Sequence, residues 1–322
     1  MAYTTIDKST AYFNTKLYTG NGNAGNAQTG VGFQPDLVWL KSRTNTEYHN
    51  FYDSVRGVTK RLSIPPAGAA QSTISGLTAF GTDGFTVGAA DTANQNSQNF
   101  VAWNWKETAT AGFDIVSYTG TGSAKTIAHN LGVIPQMIIV KRYNDGTASW
   151  MVYHQNLGSN KYLSLDATSA QATGHWNDTS PTASVFSVGT DQRVNASGAS
   201  YIAYVFAEKQ GYSKFGSYVG NSNADGTFVY TGFKPSFVML KSSTSIEEWV
   251  MFDNKRLGYN PDNNALIVSN SAEATDNDID FLSNGFKLRR NTGYVNDTGK
   301  IFIYMAIGQS IVGSNDVPAT AR

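Results

Sequence analysis

Cysteine is absent from this chain, which excludes disulfides, iron–sulfur clusters and thiolate zinc sites. Histidine is scarce: His49, His129, His154 and His175 are the whole set, and none has the H-x-H or H-E-x-x-H spacing that places two ligands on one metal. They read as packing residues at or just under the surface, so no metal and no cofactor are expected. Charge is sparse too, at 15% of residues, where about 25% is usual. Lysine plus arginine equals aspartate plus glutamate at 24 each. With no excess to draw the chain to phosphates or an anionic surface, neither nucleic acid nor membrane is an expected partner. No run approaches the roughly 20 apolar residues of a membrane helix. Met1 to Thr10 holds one lysine and no apolar core, so no anchor or secretion signal is expected.

Abundance lies elsewhere. The 322 residues include 31 Gly, 17 Tyr, 17 Phe and 6 Trp among many Thr, Ser and Asn, a composition suited to strands and tight turns. No stretch of ten residues keeps a clean 3.6-residue period, and turn chemistry recurs every 8 to 15 residues. The expectation is an all-β chain with little helix.

The strongest signal is self-similarity. Tyr18, Tyr118 and Tyr218 recur at a spacing of one hundred, as do Gly20, Gly120 and Gly220, then Gly32, Gly132 and Gly232, then Pro35, Pro135 and Pro235, and Lys41, Lys141 and Lys241. A fixed period of this kind means tandem copies of one structural unit. Each proline opens a similar run: DLVWLK at 36–41, QMIIVK at 136–141 and SFVMLK at 236–241. Four consecutive apolar residues ended by lysine fit a strand buried on both faces, and proline is tolerated at the entrance because the ladder starts after it.

The later part of each copy repeats as well. Gly57, Gly158 and Gly258 close a loop after an aromatic segment. Asp83-Gly84 and Asn284-Gly285, each followed by Phe, are dipeptides of type I′ hairpin turns; the middle copy has Ser184-Val185 there, so its loop must differ. Apolar runs at 100–105, 201–206 and 302–307 close the copies as central strands. The expected organisation is an N-terminal arm (1–16), three β-sandwich, jelly-roll-like modules (17–110, 111–212, 213–310) and an extended tail (311–322). The linkers at 106–111 and 208–213 are short, so neighbouring modules should touch.

Candidate chemistry is thin. Gly20, Gly22 and Gly25 spell G-x-G-x-x-G, but no apolar helix follows the third glycine, so the reading is an inter-strand loop. Asp276, Asp278 and Asp280 echo part of a calcium loop without its central glycine or terminal glutamate. Glycan hydrolysis needs two carboxylates facing one sugar. Asp53 falls in register with His154 and Asn254, and Asp36 with Gln136 and Ser236, so no carboxylate pair is kept across the copies and the chain reads as non-enzymatic. Lys41, Lys141 and Lys241 are the only residues charged at neutral pH that keep a fixed place in all three copies; the structural reading lays each stem on the sandwich and puts its ammonium in water. Tyr18, Tyr118 and Tyr218 read as strand-end core residues. Trp150, Trp176 and Trp249 have no counterpart in the first copy and are the candidate ligand contacts, since an exposed indole stacks on a sugar ring.

The phrases YTGNG at 18–22, GFQPDLVW at 32–39, FYDSVRG at 51–57 and VAWNW at 101–105 resemble a repeat module of tail-fibre and other structural proteins in the virions of marine and cyanobacterial tailed phages. The closing GSNDVPATAR at 313–322 is similar to the end of many of those proteins, and the likeness spans nearly the whole chain. The second and third copies are worn, with Val133 in place of the motif's phenylalanine. The resemblance implies a virion location after assembly in the bacterial cytoplasm, and a tail fibre or receptor-binding component as the leading role. Other virion proteins and a host surface glycan or receptor are its implied partners, and a homotrimer the expected assembly of a fibre. A capsid decoration protein is the alternative, and a polysaccharide depolymerase a distant one.

Overall fold

The computed structural model describes residues 4–64, 71–72, 75–144, 148–256, 260, 264–268, 273–275, 278–291 and 293–309. The first third of the chain holds β1 (Phe13–Thr19), β2 (Asn26–Thr29), β3 (Leu37–Ser42), β4 (His49–Asp53), β5 (Lys60–Ile64), β6 (Gln71–Ser72), β7 (Leu77–Gly81), β8 (Gly84–Val87) and β9 (Asn99–Trp105). The second holds β10 (Phe113–Thr119), β11 (Lys125–Ala128), β12 (Met137–Arg142), β13 (Met151–His154), β14 (Lys161–Ser164), β15 (Ala172–Thr173), β16 (Val185–Val188) and β17 (Ser200–Phe206). The last holds β18 (Ser213–Val219), β19 (Phe228–Tyr230), β20 (Lys234–Ser242), β21 (Val250–Asp253), β22 (Asn264–Ile267), β23 (Ala274–Thr275), β24 (Ile279–Leu282), β25 (Gly285–Leu288) and β26 (Ile301–Gln309). Helix is confined among the described residues to α1 (Asp91–Asn94), α2 (Gln192–Asn195), α3 (Gly293–Asn296) and a 3-10 turn at Ser9–Ala11.

These strands form six antiparallel sheets, and the strand order repeats. The six-stranded sheets run β1-β9-β3-β4-β5-β6, β10-β17-β12-β13-β14-β15 and β18-β26-β20-β21-β22-β23, and the small ones β2-β8-β7, β11-β16 and β19-β25-β24. The middle copy lacks the outer strand supplied elsewhere by β7 and β24, which is where its Ser184-Val185 departs from the hairpin signal.

Alternation along the central strands explains why they read as buried on both faces. Val38 and Leu40 point into a cluster with Phe85 and Phe100 inside the first third, whereas Leu37 and Trp39 join a second cluster fed by all three thirds. Met137 and Ile139, and Phe237 and Met239, enter that same shared cluster, while Ile138 and Val140 and Val238 and Leu240 serve their own thirds. Each large sheet therefore covers a private core with one face and the common core with the other. The thirds do more than touch: at about 25 cal/mol per Å² of apolar surface, neither face is dispensable.

Contacts between thirds recur in one rotational sense. His49 donates from Nε2 to Ile267 O at 3.0 Å, Trp150 from Nε1 to Ser63 O at 3.3 Å, and Trp249 from Nε1 to Ser164 O at 2.9 Å. By strand register these are equivalent donors on equivalent carbonyls, linking first to third, second to first and third to second. The result is a head-to-tail ring with pseudo-threefold symmetry, closed within one chain.

Several expectations change here. Residues 13–16 of the proposed arm belong to β1, Ile6 is buried in the common core, and Ser9 N donates to Gln309 Oε1 at 2.7 Å, so this segment clasps the seam between first and last thirds. The hairpin glycines do not sit in type I′ turns. Gly81 pairs with Gly84 and Leu282 with Gly285, leaving Thr82-Asp83 and Ser283-Asn284 as the loops. A Cβ on Gly84 would meet Gln28 O at 1.9 Å and one on Gly285 would meet Val229 O at 2.1 Å, so close backbone approach is what demands glycine. The tail 311–322, Gly258 and Asp276 lie outside the described residues.

Candidate functional site

The repeat anchors build one loop support three times. Tyr18, Tyr118 and Tyr218 donate through their hydroxyls to Ala93 O, Val194 O and Val295 O at 2.6, 2.7 and 2.6 Å, and stack on Phe100, Tyr201 and Phe302. Burial pushes all three phenols well above their ordinary range. A Cβ on Gly20, Gly120 or Gly220 would meet a backbone oxygen at 2.2 Å, so only glycine lets the strand end pass the short helix.

The sequence reading missed the residue that completes this support. Asn94, Asn195 and Asn296 are fully buried at the ends of α1, α2 and α3. Asn94 accepts from Asn21 N and Asn26 Nδ2, and donates to Asn23 O and Gly88 O; Asn195 and Asn296 repeat the pattern. Replacing Asn94 by Ala strands several buried groups, and the expected loss is about 2 kcal/mol, read as a lower urea midpoint with unchanged slope.

Lys41, Lys141 and Lys241 are fully buried, which corrects the expectation of ammonium groups in water. Lys41 Nζ donates to Ser42 O and Asn45 O at 2.9 and 3.0 Å, Lys141 to Ala148 O, and Lys241 to Ser242 O, Ser245 O and, across a seam, Thr168 O. Desolvation brings each amine down to about 8. These lysines tie down the loop after their strand by satisfying its carbonyls. Pro35 and Pro135 precede β3 and β12, and Pro235 lies in the bulged start of β20.

Trp150, Trp176 and Trp249 are buried, so none offers an exposed platform for a sugar. All four histidines are buried as well, deeper than expected. Asp278 accepts from Arg290 and Tyr294 and Asp280 from Arg289, so these two carboxylates neutralise arginines. Among the described residues no group of three or more His, Asp or Glu is placed to hold a metal ion, and no helix is long and apolar enough to cross a membrane.

Carboxylates do recur across copies, in a register that differs from the sequence alignment. Asp53, His154 and Asp253 are equivalent, since they pair with Leu37, Met137 and Phe237. Asp53 Oδ2 accepts from Arg56 Nε at 2.6 Å and from Tyr204 Oη of the second third at 2.7 Å. Asp253 Oδ2 accepts from Arg256 Nε at 2.7 Å and from Trp103 Nε1 of the first third at 2.9 Å. At the remaining seam Met305 takes the aromatic donor's place and Leu157 the arginine's, and His154 donates from Nε2 to Tyr304 O at 3.2 Å. Two seams carry a buried ion pair with an aromatic donor, and the third exchanges all three members together.

Where one third differs from its equivalents, the fold does not require the feature, and two such places stand out. In the last third, Phe228 and Tyr230 on β19 are 43% and 56% exposed, while their register equivalents are Ala27 and Thr29, and Thr126 and Ala128. In the second third, the segment standing in for the missing outer strand buries Trp176 edge-on to Tyr153 and opens a cleft of about 310 Å³ lined by Thr173, Gly174, His175, Asn177, Asp178, Gly189, Thr190 and Asp191. His175, Asn177 and Asp178 hold positive φ of 77°, 54° and 46°, an uncommon concentration for non-glycine residues. The His175 ring lies 3.8 Å from the Tyr162 ring, and both its nitrogens are buried without a hydrogen-bond partner. Nδ1 stands 3.5 Å from Asp191 Oδ2. Burial holds this imidazole down at about 4, against the opposing pull of Asp191. Asp191 caps α2 by accepting from Arg193 N at 2.8 Å.

These features define a nearly all-β chain of six antiparallel sheets whose three pseudo-equivalent thirds close around a shared core. The chain belongs to the family described as Domain of unknown function (DUF7483), whose model matches residues 8–310. Comparison with curated proteins and with solved structures gives no match.

Proposed function

We propose that this chain is a non-enzymatic structural and attachment protein of a tailed-phage particle, a tail fibre or receptor-binding component. Each third is a β-sandwich module, jelly-roll-like in laying a large sheet over a smaller one. The closed pseudo-threefold ring carries the reading. A common core joins the three modules, and exposed departures from symmetry such as Phe228 and Tyr230 fall on a sheet edge, where a binding protein varies its contacts. Resemblance of the repeat motifs to phage virion proteins supports the particle as its location. The threefold geometry expected of a homotrimer is present within a single chain, so one chain can seat where a fibre of three identical chains would.

Cryo-electron microscopy of particles containing the chain tests this. The expected result is density in threefold or sixfold sets on the tail. Density spread over the capsid lattice, at a stoichiometry near that of the major capsid protein, overturns the tail reading in favour of capsid decoration. Loss of host polysaccharide on incubation with the purified chain overturns the non-enzymatic one.

A further inference from the structure

We infer that β19 is a docking edge for the same strand of a second copy of this chain. Exposed apolar residues along this edge are private to the last third. Phe228 and Tyr230 stand out from β19. Val219, also exposed, is tied to the strand by the Thr227 hydroxyl, which donates to Val219 O at 3.1 Å. Its register equivalents are Thr19 and Thr119.

The main chain of this strand is half unused. Among the described residues β19 pairs with β25 alone, at the border of its sheet. Leu288 N donates to Thr227 O at 3.1 Å and Thr231 N to Asn284 O at 3.0 Å. Hydrogen bonding alternates along an antiparallel pair, so Thr227, Val229 and Thr231 face β25, while the N–H and C=O groups of Phe228 and Tyr230 point away from it. Val229 buries its side chain in the private core and fixes the strand's orientation. Unpaired main chain flanked by exposed rings is a template for another strand.

A second copy fits that template in register. With two β19 strands antiparallel about Val229, Phe228 stands opposite the partner's Tyr230, and Tyr230 opposite the partner's Phe228. Each of these is a hydrogen-bonded position with an aromatic pair across it. The same sense sets the Asp225 end of one strand against the Lys214 end of the other. Asp225 is exposed just before β19 begins, and Lys214 Nζ lies 5.5 Å from the centre of the Tyr230 ring, so opposite charges approach across the two-fold axis. Strands β2 and β11 border their sheets too, but NAQT and KTIA present polar or small side chains there, which blunt an edge. With one competent edge per chain, the pairing closes as a dimer and does not propagate.

Sedimentation velocity of the purified full chain, at concentrations up to about 1 mM, tests the edge together with hydrogen exchange on dilute and concentrated samples. The expected result is a reversible monomer–dimer equilibrium, with exchange at 227–231 slowed in the concentrated sample. The double variant Phe228→Ala, Tyr230→Thr installs the residues that the first third carries at these places, Ala27 and Thr29. It should weaken the dimer at least tenfold and leave the urea midpoint where it is. A chain that stays monomeric throughout, a dimer whose exchange at 227–231 is unchanged, or a dimer that the double variant leaves as tight would each overturn the proposal. Dimerisation is measured on the isolated chain and localisation on particles, so failure of the paired edge and failure of the tail reading are separately visible.

Discussion

Arg256→Met is expected to destabilise the chain by about 3–5 kcal/mol, because removing one partner of a buried ion pair leaves the other charge uncompensated. Arg256 and Asp253 are both buried, and the guanidinium meets Asp253 Oδ2 and Met251 O at 2.7 and 2.9 Å. Without it, the carboxylate keeps Trp103 Nε1 and two backbone amides but no cation. The chain also contains its own alternative: the equivalent positions at the second-to-third seam are His154, Leu157 and Met305. Transplanting that set as Asp253→His, Arg256→Leu and Trp103→Met should recover most of the loss, since well-packed neutral groups commonly replace a buried ion pair without penalty. Urea unfolding of wild type, single and triple variants decides it. A single variant with the wild-type midpoint would mean the ion pair carries no net weight, and a triple variant as weak as the single would mean the three positions do not form an exchangeable set.

The second large effect is on acid stability. Desolvation brings His154 down to about 4, and His49 also lies well below its ordinary range. A base whose folded pKa is depressed contributes stability that is complete above the unfolded value of about 6.5 and is lost as pH falls toward the folded one, because only the unfolded chain takes up the proton. For His154 that window is roughly pH 6.5 to 4, and the loss about 3 kcal/mol. Glu107 acts in the opposite sense: desolvation, with Asp114 beside it, raises its carboxyl to about 7, which costs stability as pH rises from about 4.5. The clean measurement is therefore a difference. Unfolding free energies of wild type and His154→Gln, whose amide can donate to Tyr304 O and accept from Asn156 N as the imidazole does, should diverge by one proton's slope across this window. Parallel curves would show that His154 titrates in the folded state.

Much of the fold was legible because repetition and period-two burial are local signals. The tyrosine, glycine and lysine anchors stand a strict hundred residues apart, and the runs at 36–41, 136–141 and 236–241 were readable as strands covered on both sides. What covers the second side was not. A strand hidden by a neighbouring sheet has the same composition as one hidden by a helix, so the common core has no signature of its own. The asparagine support escaped for a different reason. Asn94, Asn195 and Asn296 are 101 residues apart, one off the register of the anchors, as are Trp103, Tyr204 and Met305. A different offset misaligned Asp53 with Asn254: the middle copy alone is one residue longer up to His154, and strand pairing matches Asp53 to Asp253. The buried lysines were misjudged because a lysine that satisfies carbonyls and one that reaches water both follow an apolar run.

The seam between first and last thirds is closed by side-chain contacts, among them Ser9 to Gln309, His49 to Ile267 and Trp103 to Asp253, whereas the other two seams are also crossed by the chain itself. A ring of three separate identical chains carries every substitution three times, so a change that improves one face is imposed on all. Fusion removes that constraint. One third can acquire an exposed aromatic edge, Phe228 and Tyr230, that the other two do without, and the shared core stays indifferent to it. Such a body keeps its threefold frame while its three faces differ.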